Sequence, residues 1–237
     1  MEEALLTARI IEDRQLRDKR RVFRDRHDAG KILGEIVCRV QDWHNPVCCP
    51  IPAGGVPVAV PVARILSAPI RLAVVRKVHI PWNPEAGFGA VTWDGKVILN
   101  TELLDTLGMS GEEVESVIEE TRQNVRERVN RFRPHLPAPA LRQKEVILID
   151  DGLASGYTML AAVAAVRRLD PASVTVAVPT AHDASLSRVS GRADVVVCPN
   201  IRSGPSYAVA EAYREWNDVS DEEVFSCLRV AADRGLF

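Results

Sequence analysis

The sequence is short of cysteine pairs, long apolar runs and net charge, and each shortage removes a class of protein. Its five cysteines stand at 38, 48, 49, 198 and 227, with no C-x-x-C pair and no Cys/His metal spacing. An odd number without a framework suits reduced thiols in a cytosol. Cys48 and Cys49 are adjacent in an apolar stretch and read as core packing. No run approaches the ~18 apolar residues that a membrane helix needs. The first residues, Met1 to Leu6, lack the basic-then-apolar order of a signal peptide, so a cytoplasmic location is expected. There is no internal repeat and no low-complexity tract. The formal net charge is only −2, so nothing overall favours a nucleic-acid surface. What remains is a chain of 237 residues, 46% of them apolar, enough for a single α/β domain over 1–237.

The stretch that organises the chain runs from Val146 to Thr158. Four apolar residues, Val146 to Ile149, read as a short, fully buried strand. Two acids, Asp150 and Asp151, stand where it ends. A small-residue turn from Gly152 to Thr158 follows, then an apolar run, Met159 to Val166, of strong helix formers. Such a turn points backbone N–H groups and a helix N-terminus at one spot, which suits a phosphate. Two carboxylates beside it suit ribose hydroxyls or a hydrated Mg²⁺. The bland alternative is an ordinary turn with acids at its rim. Two better-known motifs fail here. A Walker A loop needs Lys directly after its last Gly, and Tyr157 follows Gly156. A dinucleotide fingerprint needs a third glycine, and this turn has only Gly152 and Gly156. A G-x-S-x-G nucleophile elbow is also absent, which speaks against a hydrolase of that kind.

The rest alternates. Residues 2–22 carry Leu5, Leu6, Ile10, Ile11 and Leu16 at loose helical spacing and predict an amphipathic helix. Phe23 to Val40 predicts a second helix, and Val47 to Ile51 a first core strand in which Pro50 is awkward. A second glycine turn follows at Pro52 to Val56, where Gly54 and Gly55 can bring bare backbone against an anion or simply form a tight turn. Ile70 to Val75 predicts a strand closed by Arg76 and Lys77; these either neutralise an anion or are solvated edge residues. His79 to Asp94, with two prolines and two glycines, predicts an irregular loop of the kind that forms lids, alone or as a hairpin with Lys96 to Asn100. Its Glu85 is either a metal- or proton-handling carboxylate or a surface residue. Ser110 to Glu113 is a capping box opening a long helix to about Phe132. Strands at 173–178 and 193–198 flank a short helix at 183–189, and Asp221 opens a closing helix. The alternation predicts a mostly parallel sheet flanked by helices.

Four apolar residues, two acids and then Ser-Gly-x-Thr resemble the phosphoribosyl pyrophosphate (PRPP) motif of type I phosphoribosyltransferases. The chain from about Phe23 to about Val224 resembles one branch of that family, including its Asp-Arg and Ala-Gly pairs at Asp25-Arg26 and Ala29-Gly30. The resemblance implies a type I α/β fold with a helical insertion near 101–135 and a hood and closing helix near 199–237. It implies Asp150 and Asp151 for the ribose, and for Mg²⁺ indirectly through PRPP and water. It implies Gly152, Ala154, Ser155, Gly156, Tyr157 and Thr158 for the 5′-phosphate. Ala53, Gly54, Gly55, Arg76 and Lys77 fall to the pyrophosphate, with Asp151 and Glu85 as candidates for proton transfer. The implied reaction moves the 5-phosphoribosyl group from PRPP to a small nitrogenous acceptor and releases pyrophosphate. Tyr207 and Trp82 are candidates to stack on that acceptor or to pack. The resemblance leaves room for a homo-oligomer and does not name the acceptor. The branch usually carries Arg where this chain has Ala53. That departure supports a second expectation: a PRPP-binding regulator with reduced transfer, touching RNA or DNA through the basic segments 17–21 and 126–133.

Overall fold

The computed structural model describes residues 8–132 and 140–236, with the side chains of Pro84 and Glu85 outside that description. The chain opens with β1 (Arg9–Ile11), α1 (Arg26–Val37), β2 (Pro46–Pro50) and α2 (Gly55–Leu66). Next come β3 (Val75–Ile80), β4 (Asn83–Thr92), β5 (Val97–Leu99), α3 (Thr101–Leu107) and α4 (Gly111–Phe132). Then follow β6 (Glu145–Ile149), α5 (Tyr157–Arg167), β7 (Ser173–Ala177), β8 (Thr180–His182) and α6 (Asp183–Ser190). The chain closes with β9 (Val195–Val197), β10 (Asn200–Arg202) and α7 (Asp221–Ala232).

The central sheet is parallel, in the order β1-β9-β7-β6-β2. β6 lies inside it, and its alternate side chains enter different cores. Ile147 and Ile149 pack with α1, α2 and α7, while Val146 and Leu148 pack with α5 and α6. All four are fully buried, each worth about 1.5–3 kcal/mol of transfer free energy. Strands covered on both faces read as unbroken apolar runs, which is why this one is legible. Pro50 is tolerated because β2 is an edge strand. Cys48, Cys49 and Cys198 are buried and unpaired; burial raises their thiols, Cys49 to about 12, so they act as packing.

α2 is apolar on nearly every side and lies buried beneath α1. The helices meet closely at Gly30, where a Cβ would lie 2.3 Å from the Val58 carbonyl oxygen. Gly30 is thus a helix-crossing residue, while Ala29 packs with Phe23, Ala212 and Tyr213. At α4 the capping box forms as predicted: Glu113 N donates to Ser110 Oγ (3.2 Å) and Ser110 N donates to Glu113 Oε2 (2.7 Å).

Three sequence expectations need correction. The helix predicted over 2–22 falls partly on residues 1–7, which lie outside the described residues; from Ala8 onward it is not a helix. Ile10 and Ile11 instead pair with Val196 and Val197, and Asp18 and Arg21 take positive φ (57° and 53°), which a right-handed helix forbids. The strand predicted over 70–75 is a ragged edge instead. Arg71 N donates to Cys48 O and Ala73 N to Pro50 O, but the regular strand begins only at Val75, in another sheet. Finally, most of His79 to Asp94 is strand rather than irregular loop, and its hairpin with residues 97–99 does form. β3, β4 and β5 form an antiparallel sheet with Phe88 fully buried. Its glycines permit close strand packing: a Cβ on Gly89 would lie 2.7 Å from the Ile98 carbonyl oxygen.

Candidate functional site

The site lies at the carboxyl end of β6. The strand delivers Asp150 and Asp151 at its end, and the chain then turns through Gly152 to Gly156 into α5. Gly156 has φ +82°, a left-handed conformation that disfavours any Cβ, and it forms the N-cap of α5. Leu160 N donates to Gly156 O (2.9 Å), which closes the first helical turn. Helix geometry leaves the amides ahead of that bond without intrahelical partners. Among the described residues, the amides of Ser155, Gly156, Tyr157 and Thr158 donate to no protein acceptor. The result is a set of donors at a helix N-terminus, with the Ser155 and Thr158 hydroxyls beside them.

The Pro52–Gly55 loop is brought to the same place. Ile51 N donates to Ile149 O (2.8 Å), so the loop leaves the sheet beside the two acids. A Cβ on Gly54 would lie 2.1 Å from Asp151 Oδ2, and one on Gly55 would lie 2.5 Å from Ile149 O. Gly55 is therefore required by close approach to the backbone of the acidic loop, and Gly54 makes room for the Asp151 carboxylate. Ala53 is half-buried and packs against the apolar core.

Arg26 stands over the acids. Asp25 caps α1 by accepting from Asp28 N (2.7 Å), which fixes Arg26 in the first helical turn. Arg26 Nε donates to Asp151 Oδ2 (2.8 Å), and both side chains are largely buried. Arg26 Nη1 donates to Asn217 O (2.8 Å), and the guanidinium lies 3.7 Å from the centre of the Trp216 ring. Tyr213 OH donates to Asp151 O (2.6 Å). Burial, then the adjacent Asp151 carboxylate, push Asp150 well above the usual carboxylate range. Burial also raises Asp151, against the opposing pull of Arg26. Asp150 Oδ1 accepts from Asp151 N (2.9 Å). Sequence reasoning does not single out Tyr213 or Trp216, which arrive from about sixty residues downstream through tertiary folding. For Arg26 the Asp25-Arg26 pair is the one available signal.

The other expected residues are more scattered. Arg76 and Lys77 begin just past the carboxyl end of β2, since Ala73 N bonds Pro50 O. Neighbouring strand positions face opposite ways. Arg76 faces α4, where its charge adds to burial in lowering the Arg128 value, while Lys77 lies against Gly87. Glu85 belongs to β4 by its backbone, and its side chain is outside the described residues. Tyr207 is half-buried in the segment after β10, its OH donating to Thr180 Oγ1 (3.3 Å) and its ring edge-on to His182. Trp82 is 62% exposed at the β3–β4 hairpin tip, away from the core. Of the basic segments, Arg17 pairs with Glu12, Arg20 with Glu211 and Arg126 with Glu119, as solvated faces do; Arg133 is outside the described residues. Among the described residues no three His, Cys, Asp or Glu side chains cluster as a metal cage. Asp150 and Asp151 alone fit a metal held mainly by its ligand and water, since one oxygen of Asp151 is already bonded to Arg26.

Residues 97–212 match a family model described as a phosphoribosyl transferase domain. That span contains the acids and the whole turn. In Mycobacterium tuberculosis strain H37Rv, a protein named "Putative phosphoribosyl transferase Rv0571c" is 36% identical over 215 residues, which take in 88% of this chain and 46% of that protein. A counterpart in strain CDC 1551 matches equally. The chain thus spans about half the length of the curated relatives it matches (46%). The solved structure of TT1426 from Thermus thermophilus superposes with a TM-score of 0.72 at 35% identity, covering 87% of this chain and 97% of that one.

Proposed function

We propose, from the premise that this chain belongs to the type I phosphoribosyltransferase family, that it binds PRPP and transfers its 5-phosphoribosyl group to a small nitrogenous acceptor. The observation that carries this reading is the convergence of two glycine loops on Asp150 and Asp151, with the free amides of Ser155 to Thr158 beside them. The amides and hydroxyls take the 5′-phosphate. The carboxylates accept from the ribose hydroxyls. The Pro52–Gly55 backbone faces the pyrophosphate. The bond from C1 of the ribose to pyrophosphate breaks, and the acceptor nitrogen closes on the oxocarbenium-like carbon. The acceptor then loses its proton. The protein's part is electrostatic and geometric: it holds the leaving phosphates and aligns the acceptor. Mg²⁺ is proposed as cofactor, and bound with PRPP it would neutralise charge on the pyrophosphate. Asp150 and Asp151 would hold it through PRPP and water.

A second reading rests on Ala53. Where a guanidinium would reach the pyrophosphate, this chain has a methyl group against the core. The protein would then bind PRPP as a sensor and transfer slowly or not at all. One experiment separates the readings: pyrophosphate release from Mg²⁺–PRPP over a panel of purine, pyrimidine and other nitrogen acceptors, with PRPP affinity measured in parallel by calorimetry. Release with one acceptor class is expected of the transferase. Tight PRPP binding without release supports the sensor, and no PRPP binding sinks both. Mg²⁺ alone is expected to bind weakly, because two carboxylates do not close a cage. Tight binding of the metal without PRPP would contradict the proposed arrangement.

A further inference from the structure

The phosphate turn has an electrostatic deficit. From Gly152 to Thr158 it carries no cation, and it begins beside two carboxylates. Arg26 is committed to one of them. A dianionic phosphate placed there would meet negative charge that the free amides only partly offset.

The neighbouring helix supplies what the turn lacks. α6 follows β8 and lies across the outside of the turn. Ser185, buried on its inner face, donates its hydroxyl to Ala154 O. Arg188, one turn further on, donates Nη1 to Ser155 O. Its guanidinium carbon lies 5.0 Å from the centre of the Tyr157 ring. Gly156 is pressed on the same helix: a Cβ there would lie 3.3 Å from Ser185 O. Two consecutive carbonyls of the turn are thus drawn toward α6. In a tight turn, fixing the carbonyls of Ala154 and Ser155 on one side fixes the amides of Ser155 and Gly156 on the other, since each peptide unit is planar. Arg188 is exposed and has no carboxylate partner among the described residues. Its charge is therefore not neutralised by a carboxylate and acts on an anion in the turn through space, from the carbonyl side.

We infer that α6 is part of the phosphate site, with Arg188 and Ser185 as positioning residues that orient the amides of the 154–158 turn and with Arg188 supplying the cation that the turn itself lacks. This rests on the phosphoribosyl reading of the turn and adds the device that sets affinity for the phosphate group. It predicts an effect confined to one end of the ligand. The ribose 5-phosphate end should respond to α6, and the pyrophosphate end should not.

The test is calorimetry on the full chain with two probes, ribose 5-phosphate and pyrophosphate with Mg²⁺. Arg188→Gln is expected to weaken ribose 5-phosphate by about tenfold, as befits loss of a nearby cation together with the carbonyl anchor that orients the amides. Pyrophosphate affinity should stay within about twofold of the parent, a change too small to mark a lost contact. Arg188→Lys should recover part of the loss, because it keeps the charge but not the planar fork. Ser185→Ala should weaken ribose 5-phosphate with no change of charge, and by less. Arg188 is exposed and Ser185→Ala removes a single buried oxygen, so these variants should fold, and a melting curve checks that they do. Equal weakening of both probes, or no change in ribose 5-phosphate binding by Arg188→Gln, overturns the inference while leaving the phosphoribosyl reading in place. A parent that binds neither probe overturns that reading and this inference with it.

Discussion

Replacing Arg26 by methionine is expected to lower the stability of the fold by about 3 kcal/mol at neutral pH, the usual cost of leaving one partner of a buried ion pair behind. Methionine keeps much of the stem's volume, so the loss is chiefly electrostatic. Without the guanidinium, Asp151 sits beside Asp150 with no counter-charge, and both carboxyls are pushed further toward the protonated form. The pH dependence follows from the direction of these shifts. An acid whose folded value is raised keeps a proton that the unfolded chain has released. Its contribution to stability is present below its unfolded value and is lost as pH rises through its folded value. The variant should therefore lose stability more steeply than the parent between mildly acidic and mildly alkaline pH. Adding Asp151→Asn should restore most of the loss, because it removes the stranded charge. Urea unfolding at pH 5 and pH 8 measures all of this. A variant as stable as its parent at both values would mean that Arg26 and Asp151 are not energetically coupled.

Gly156→Val carries the largest expected effect on ligand binding. In the parent, saturation at about a hundred times Kd stabilises by about 2.7 kcal/mol, and PRPP with Mg²⁺ should raise Tm by several degrees. In the variant the rise should vanish. A β-branched side chain at φ +82° forces the turn out of its conformation, and its Cβ would crowd Ser185 O at 3.3 Å. The substitution should also cost about 1–2 kcal/mol of stability in the absence of ligand, through that backbone strain. Thr158→Ala is the gentler companion: one charge-assisted hydrogen bond lost, about 1.5–3 kcal/mol of PRPP affinity, with little change in the free protein. Thermal melts with and without ligand separate the two effects. A Gly156→Val protein that keeps the ligand-dependent rise would place the anion somewhere other than this turn.

How far the sequence reaches depends on whether the information is local. The strand, acids, turn and helix from Val146 to Val166 are legible because burial on both faces, a strand end and a glycine at positive φ all act within a dozen residues. The capping box at Ser110 is legible for the same reason. The convergence of the Pro52–Gly55 loop with the acids is only half legible. The glycines mark a close approach without saying that Asp151 is what approaches. Arg26 over Asp151 is still less legible, since it joins residues 125 apart in sequence. The errors have equally physical causes. Ile10 and Ile11 satisfy a loose helical spacing, but pairing with β9 outweighs it. Gly87 and Gly89 read as loop residues because nothing local shows the strands and side chains they make room for. β8 and β10, three residues each, are too short to announce themselves; they are held by their own pairing and by Thr180 Oγ1 donating to Asn200 Oδ1 (2.7 Å).

The central claim is that an anion sits in the turn before α5, and amide chemical shifts test it without altering the protein. Ribose 5-phosphate titrated into isotopically labelled protein, observed by ¹H–¹⁵N correlation spectra, should shift the amides of Ser155, Gly156, Tyr157 and Thr158 most. Smaller changes are expected at Asp150, Asp151 and Gly54. The largest shifts falling elsewhere, for example around Arg20 and Arg202, or no shifts at saturating ligand, would contradict the account.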